Sequence, residues 1–349
     1  MTQQWIRKAS VSLEPRKGEI VEAGALRFVF NITQAMVETP NTLELRVYNM
    51  APSTMDRLKH EFLTVTIRAG YEGNYGIIFK GNTIKTTSGK DPVPKEIDLL
   101  DFVRSGRTNA TDTFLDITAA DGDRAYNWGT LNVTQAAGWT PNDIAKQVGT
   151  AYAPHGVTGG DLPTTVPQPP APRGKVLWGM ARAQAAVLAR DYNLDWSIQN
   201  GTVSWIPQAS YKEGEIVVLT SETGMIGLPK QTDSGLEVRC LLNPSIGIGQ
   251  LIRVNQASIQ RAAPSTSTAA INNNVGVAQQ TRPSTKFDGF YKVLWVTHTG
   301  DNRGQPWYTD IVAQSIDPSV QESLAAKNTT SYSNPSGAAV VLDSPRGPQ

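Results

Sequence analysis

Two carboxylates two positions apart, Asp121-Gly122-Asp123, are the residues of this chain best spaced to do chemistry. At a strand end such a pair could bind a divalent cation or share a proton in acid–base work. No further acidic ligands complete a calcium loop, and Asp and Gly are ordinary turn residues at a junction, so the turn reading is preferred. The histidines His60, His155 and His298 lie far apart, and His60-Glu61 has no second histidine four residues on, so it is not a zincin helix. His298 is expected as a half-exposed strand residue. The single Cys240 excludes an internal disulfide, a zinc knuckle or a CxxC pair and fits a small buried hydrophobe. Asn243 stands where a nucleophile elbow around Ser245 and Gly247 needs glycine. Gly247-Ile248-Gly249 lacks a third glycine three residues on, and Gly89-Lys90 continues into Asp91, so both are turn signals and not phosphate cradles. No catalytic, metal or cofactor-binding residue is therefore assigned, and no cofactor is expected.

The elements that would position such residues are mostly strands. Residues 173–207 form the centrepiece. Leu177, Ala181, Ala185 and Leu188 recur at helical spacing, and Leu194, Trp196 and Ile198 then alternate. Asn200-Gly201 supplies a type I′ turn, and Val203 and Trp205 alternate back. Eight tryptophans could make a sugar-binding platform, but Trp196 and Trp205 fall at core-facing positions of this hairpin.

Before the centrepiece, strands are expected at 26–30, 42–50, 63–69, 77–80, 83–87 and 114–118, with a short helical turn at 51–58. Strands at this spacing indicate a barrel or sandwich. Thr140-Pro141-Asn142-Asp143 has the N-cap, first-turn proline and capping-box acid of a helix start. Residues 159–172 are Pro-rich and extended, a spacer. Strands return at 216–219, 236–242, 251–254, 290–296 and 307–316. The insert 258–288 and the tail 318–349 are polar and hold too few large apolar residues to make a core.

Composition narrows the function. The 349 residues are enough for two or three domains. Lys and Arg total 32 against 31 Asp and Glu, with no basic run, which argues against a nucleic-acid reader. The start, MTQQWIRKAS, holds no apolar stretch of signal-peptide length, and no run approaches the ~18 apolar residues of a membrane span. Synthesis in a reducing cytoplasm with no membrane anchor is expected, and the four Asn-x-Thr sequons then carry no meaning.

Three long blocks together resemble the baseplate hub proteins of tailed bacteriophages: residues 173–207, residues 220–259 (TSETGMIGLPKQTDSGLEVRCLLNPSIGIGQLIRVNQASI) and residues 288–316 (DGFYKVLWVTHTGDNRGQPWYTDIVAQSI). NTLELRVYNMAPST and IRAGYEGNYGIIFKGNTI look like the same family's first barrel, so the resemblance spans roughly residues 20–317. It implies a mainly β (α+β) fold with two tail-tube-like β-barrel domains flanking a small α/β centrepiece. The barrels would be 1–120 and 213–317, the connecting unit 121–212, and the tail 318–349 extended or disordered.

The resemblance further implies a homotrimer that adapts a six-fold tail tube, or its initiator protein, to a three-fold central spike. The implied setting is a virion baseplate, contractile by likeness, with other baseplate proteins as neighbours and DNA passing through the lumen without specific binding. Two barrels per chain give six around such a ring, the number an interface with a six-fold partner must repeat. No lysozyme-like domain is recognised within the chain, which weakens the alternative of a peptidoglycan hydrolase. A second alternative is a receptor- or carbohydrate-binding tail module. The insert 258–288 and the hairpin 299–307 are candidate partner-facing loops, the latter with Asn302, Arg303 and Trp307.

Overall fold

The computed structural model describes residues 6–15, 19–59, 63–91, 112–212, 214–232, 235–254, 260–261, 289–316, 331–333 and 339–341. His60, most of the insert and most of the tail lie outside the described residues. Among the described residues no helix is long and apolar enough to cross a membrane.

The chain is mainly β, and its first half is an antiparallel sheet. It comprises β1 (Arg7–Pro15), β2 (Val21–Glu22), β3 (Phe28–Ala35), β4 (Thr42–Tyr48), the helix α1 (Pro52–Lys59), β5 (Leu63–Tyr71), β6 (Asn74–Lys90) and β7 (Thr113–Ala120). The spatial order is β2-β1-β5-β6-β7-β4-β3, with two non-consecutive pairings, β1 with β5 and β4 with β7. Side chains alternate across each strand, so Phe28, Phe30 and Ile32, Leu43, Leu45 and Val47, and Leu115 and Ile117 all reach one core. Each such burial is worth about 1.5–3 kcal/mol. β1 adds only Val11 and Leu13 among polar neighbours, too sparse a pattern to have marked a strand in the sequence. The candidate strands at 77–80 and 83–87 are one continuous β6 with a register irregularity between Thr83 and Lys85.

The α/β unit follows: α2 (Asp123–Trp128), β8 (Thr130–Gln135), α3 (Pro141–Tyr152), β9 (Lys175–Met180), α4 (Ala181–Asp191), and the hairpin β10 (Leu194–Gln199) with β11 (Thr202–Pro207). The Thr140 backbone N–H donates to the Asp143 carboxylate at 2.8 Å, the return bond of a capping box, and the Thr140 hydroxyl donates to the same carboxylate at 2.8 Å. The central helix begins only at Ala181. Leu177 belongs to β9, where Val176, Leu177 and Trp178 alternate, and Gly179 at φ 101° turns the chain into α4. The Pro-rich stretch is not a free spacer. Leu162 and Val166 are buried in this unit's core, and the Trp205 indole donates to the Gly160 carbonyl at 3.1 Å.

The second half holds β12 (Val217–Leu219), β13 (Met225–Thr232), β14 (Gly235–Leu241), β15 (Leu251–Val254), β16 (Gln260–Arg261), β17 (Phe290–Asp301) and β18 (Trp307–Ser315). A further short pair joins β19 (Ser331–Ser333) to β20 (Ala339–Val341). The first half of β17 pairs with β15, while its residues Trp295–Asp301 pair with β3, so one sheet, antiparallel except at β12–β15 and β13–β16, runs through both halves. Trp307 and Leu242 from the second half complete the first core.

The two halves repeat one another. The order β3-β4-β7-β6 recurs as β13-β14-β18-β17, and β5 against β6 recurs as β15 against β17. Glu44-Leu45-Arg46-Val47 in β4 matches Glu237-Val238-Arg239-Cys240 in β14. Phe114-Leu115-Asp116-Ile117 in β7 matches Tyr308-Thr309-Asp310-Ile311 in β18. The registers coincide: Arg46 lies opposite Asp116 and Arg239 opposite Asp310. Even the bulges coincide. The shift between Thr83 and Lys85 faces Ala119 and Thr118, and that between Val293 and Trp295 faces Ala313 and Val312, in each half the residues three and two positions beyond the aspartate.

Candidate functional site

Among the described residues no group of three or more His, Cys, Asp or Glu side chains is placed to hold a metal. The polar groups that are buried instead join the three parts of the chain. Asp121, fully buried at the end of β7, accepts the backbone N–H of Asn200 and that of Gly201 at 2.9 Å. Those two residues have positive φ, 52° and 78°, the geometry of a type I′ turn. Burial pushes the Asp121 carboxyl up to about 7, against the lowering effect of the two N–H groups, Asn41 and Lys80. Gly122 beside it has φ 67°, and a Cβ there would lie 2.8 Å from the Ile198 side chain.

Asn41 completes this clasp. Its amide donates to the Ile198 carbonyl at 3.0 Å and to Gln199 Oε1 at 2.8 Å, while its Oδ1 accepts from Ala35 N–H at 3.0 Å. Gln199 returns a bond to the Ala35 carbonyl at 3.1 Å. Asp123 does not join Asp121; it accepts from Asn127 at 2.9 Å, and its pKa is raised by partial burial. The structure thus gives the two carboxylates different partners, and Asp121 serves the hairpin turn.

The opposite end of the same hairpin is held by the second half. Lys292, buried on β17, donates to the Pro207 carbonyl at 3.1 Å and lies 3.9 Å from Asp195. Burial pulls its pKa down to about 8, with Asp195 opposing. The β10–β11 hairpin is therefore pinned at its turn to the first half and at its base to the second. Nothing in the local sequence around Asn41, Gln199 or Lys292 announces this, because the groups they join across the chain lie far apart in sequence.

The hairpin 299–307 folds back on its own chain. Asn302 accepts from Phe28 N–H at 2.9 Å and donates to the Leu26 carbonyl at 2.7 Å; exposed Arg303 donates to the Ala25 carbonyl at 2.7 Å. Asp301 accepts from Arg27 at 2.8 Å; burial raises its pKa, but Arg27 and the Arg303 and Gly304 N–H groups outweigh that and lower it overall. Trp307 corrects the expectation of a partner-facing anchor. It is fully buried, edge-to-face with Phe30 at 5.6 Å, and capped by the Arg7 guanidinium at 5.6 Å. An indole with 0% exposure offers a partner no surface.

His298 is buried, not half-exposed, with Nδ1 2.9 Å from the Thr309 hydroxyl. Desolvation pulls its pKa down to about 4, so it is neutral at physiological pH. Cys240 is a free, buried thiol pushed up to about 12. Trp196 and Trp205 pack at a tilt of 34° within the α/β core, ring centres 6.2 Å apart.

No family model matches the chain, and no curated protein matches it by sequence. Solved structures match its fold. The 43 kDa tail protein of prophage MuSo2 from Shewanella oneidensis superposes over 88% of this chain and 96% of its own, at 9% identity and a TM-score of 0.51. A tail protein from Neisseria meningitidis covers 88% and 97%, also at 9% identity and 0.51. An E. coli component of the type VI secretion system, described as similar to the T4 phage tail proteins gp27 and gp5, covers 87% and 77% at 11% identity and 0.50. The chain has the fold of tail and tail-like proteins along nearly its whole length.

Proposed function

We propose that this protein is a structural hub of a phage-tail baseplate, without catalytic activity of its own. Three copies would form a ring between a six-fold tail tube and a three-fold spike. The observation that carries the reading is the internal repeat: β3-β4-β7-β6 and β13-β14-β18-β17 share order, register, bulge position and an Arg–Asp cross-strand pair. Two equivalent β units per chain become six around a three-fold axis, which is what a six-fold partner needs to meet the same surface six times. The shared fold with tail proteins supports the same setting. The units are 1–120, 121–212 and 213–317, with the tail 318–349 beyond them.

The seam inside the chain supplies a template for the contact between chains. β17 carries β3 on the edge of its residues Trp295–Asp301. The equivalent part of β6, residues 85–90, has no strand on that edge among the described residues. We assign it to the next copy, near β13, the equivalent of β3, whose edge receives Gln260 and Arg261 at two positions. Arg303 and the insert 258–288 would face the tube or spike, and the lumen would pass DNA without holding it. In this reading the protein is made and assembled in the host cytoplasm and resides in the virion.

The test is light scattering of the purified chain, alone and with its co-expressed spike. A mass of three chains is expected in at least one case. A monomer in both would overturn the hub reading.

A further inference from the structure

An open groove of about 300 Å³ runs between β8 and the last turns of α3, away from every clasp described above. Leu131, Asn132 and Val133 all line it, although neighbouring strand residues point to opposite faces, so the groove follows the strand's edge. That edge, turned away from β9, has no strand partner among the described residues. At one end stands Trp128, 71% exposed; across the strand pair from Asn132 stands Trp178, 74% exposed. Trp128 belongs to the groove's lining and offers it a wide apolar ring face, while Trp178 stands outside the lining, on β9.

The remaining lining chemistry selects among ligands. Gln147, Thr150 and His155 line its helical side, and no Asp, Glu, Lys or Arg lines the groove. Of the lining side chains, the polar groups of Trp128, Asn132 and Gln147 make no hydrogen bond among the described residues. A charged ligand would therefore find no counter-charge, and a purely apolar one would leave two amides unsatisfied. A neutral sugar satisfies all of these groups. Its C–H face packs on an indole, and its hydroxyls donate and accept, as the Asn and Gln amides do. We infer that this groove is a binding site for a neutral saccharide, a function separate from the tube-to-spike role. An N-acetylated sugar adds an acetamide that Asn132 and Gln147 can pair with on both its N–H and its carbonyl.

Calorimetric titration of the full chain with N-acetylchitotriose tests this, with a neutral glucan trisaccharide in a parallel arm. Saturable binding is expected in the first arm. If the glucan binds equally, the source is general surface polysaccharide; if it binds more weakly, the site favours acetamido glycans of the cell-wall type. Either supports the site. Trp128→Ala and Asn132→Ala should each weaken binding about tenfold at unchanged Tm. Trp295→Ala, an exposed tryptophan elsewhere, should leave it unchanged. Absence of saturable binding in both arms, or binding indifferent to Trp128→Ala, overturns the inference. So does a Trp128→Ala variant that loses its oligomeric state instead of its sugar, since the face would then belong to a second copy. An extended peptide that binds the strand edge in place of the sugar would overturn it as well.

Discussion

Arg46 and Arg239 occupy equivalent places in the two halves of this protein. Each makes a two-pronged bond to the aspartate opposite, Asp116 at 2.6 and 2.8 Å and Asp310 at 2.6 and 3.0 Å. Each also lies over an aromatic ring two residues before that aspartate, Phe114 at 4.1 Å and Tyr308 at 5.5 Å. A repeat conserved at this level of contact fits a duplicated unit and is hard to reach by coincidence of strand order alone. It places the chain's two β units in one geometric relation, which a ring could then extend.

Because both pairs are partly exposed, screening limits their worth. Asp116→Ala and Asp310→Ala should each cost roughly 0.5–1.5 kcal/mol in urea unfolding. The charge-swapped double variant Arg239→Asp with Asp310→Arg should recover part of that loss, and its failure to do so would mean that the ring contact, not the ion pair, dominates.

Asp121 and His298 should leave opposite marks on stability against pH. Asp121 has a raised folded pKa of about 7, so its contribution is fully present below about pH 4 and is lost as pH rises through 7. His298 has a depressed folded pKa of about 4, so its contribution is present above about pH 6.5 and is lost as pH falls toward 4. Calorimetric Tm from pH 4 to 7.5 checks this. Asp121→Asn should remove a decline of up to about 1.4 kcal/mol per pH unit relative to the parent. Identical slopes in the two proteins would show that Asp121 does not titrate in this window.

Much of the fold is legible in the sequence because strict alternation survives in β3, β4, β5 and β7, where one face meets the core. β9 was obscured because Leu177 stands four residues before Ala181, helical spacing that spans a strand-to-helix joint. The β3–β17 pairing could not be read, since alternation says which face is buried and not which strand lies beside it. The repeat, in contrast, was written in Glu-Leu-Arg-Val and Glu-Val-Arg-Cys, a signal short enough to pass unnoticed without the registers. Trp307 misled by residue type: tryptophan is favoured at interfaces and in cores alike, and only Phe30 and Arg7 decide between them.

Trp307→Ala therefore tests a core and not an interface. It should cost about 3–5 kcal/mol in unfolding free energy of the isolated chain. Arg303→Ala, which removes one exposed bond to the Ala25 carbonyl, should cost under about 1 kcal/mol. Equal effects of the two on the isolated chain would contradict the packing described.

Lys292 offers a base-side counterpart. Its folded pKa of about 8 lies below its ordinary value, so the native state sheds this proton first and stability should rise with pH between about 8 and 10.5. Lys292→Met should flatten that rise. It should also loosen the hairpin base, seen as faster hydrogen exchange of the described residues 208–212, because the Pro207 carbonyl loses its donor.

The outer edge of β6 is where the ring reading meets single-residue chemistry. Successive N–H groups of a strand point to opposite edges, so of Thr87 and Ser88 one donates toward β7 and the other away from it. Proline removes the N–H, and strands accept it at low cost only where that N–H faces outward. Thr87→Pro and Ser88→Pro should thus diverge. One should lose stability in the isolated chain; the other should keep its Tm and yet fail to form the trimer, as light scattering would reveal. If both variants assemble normally, the free edge of β6 is not the contact between copies, and the seam at β3–β17 is a feature of one chain alone.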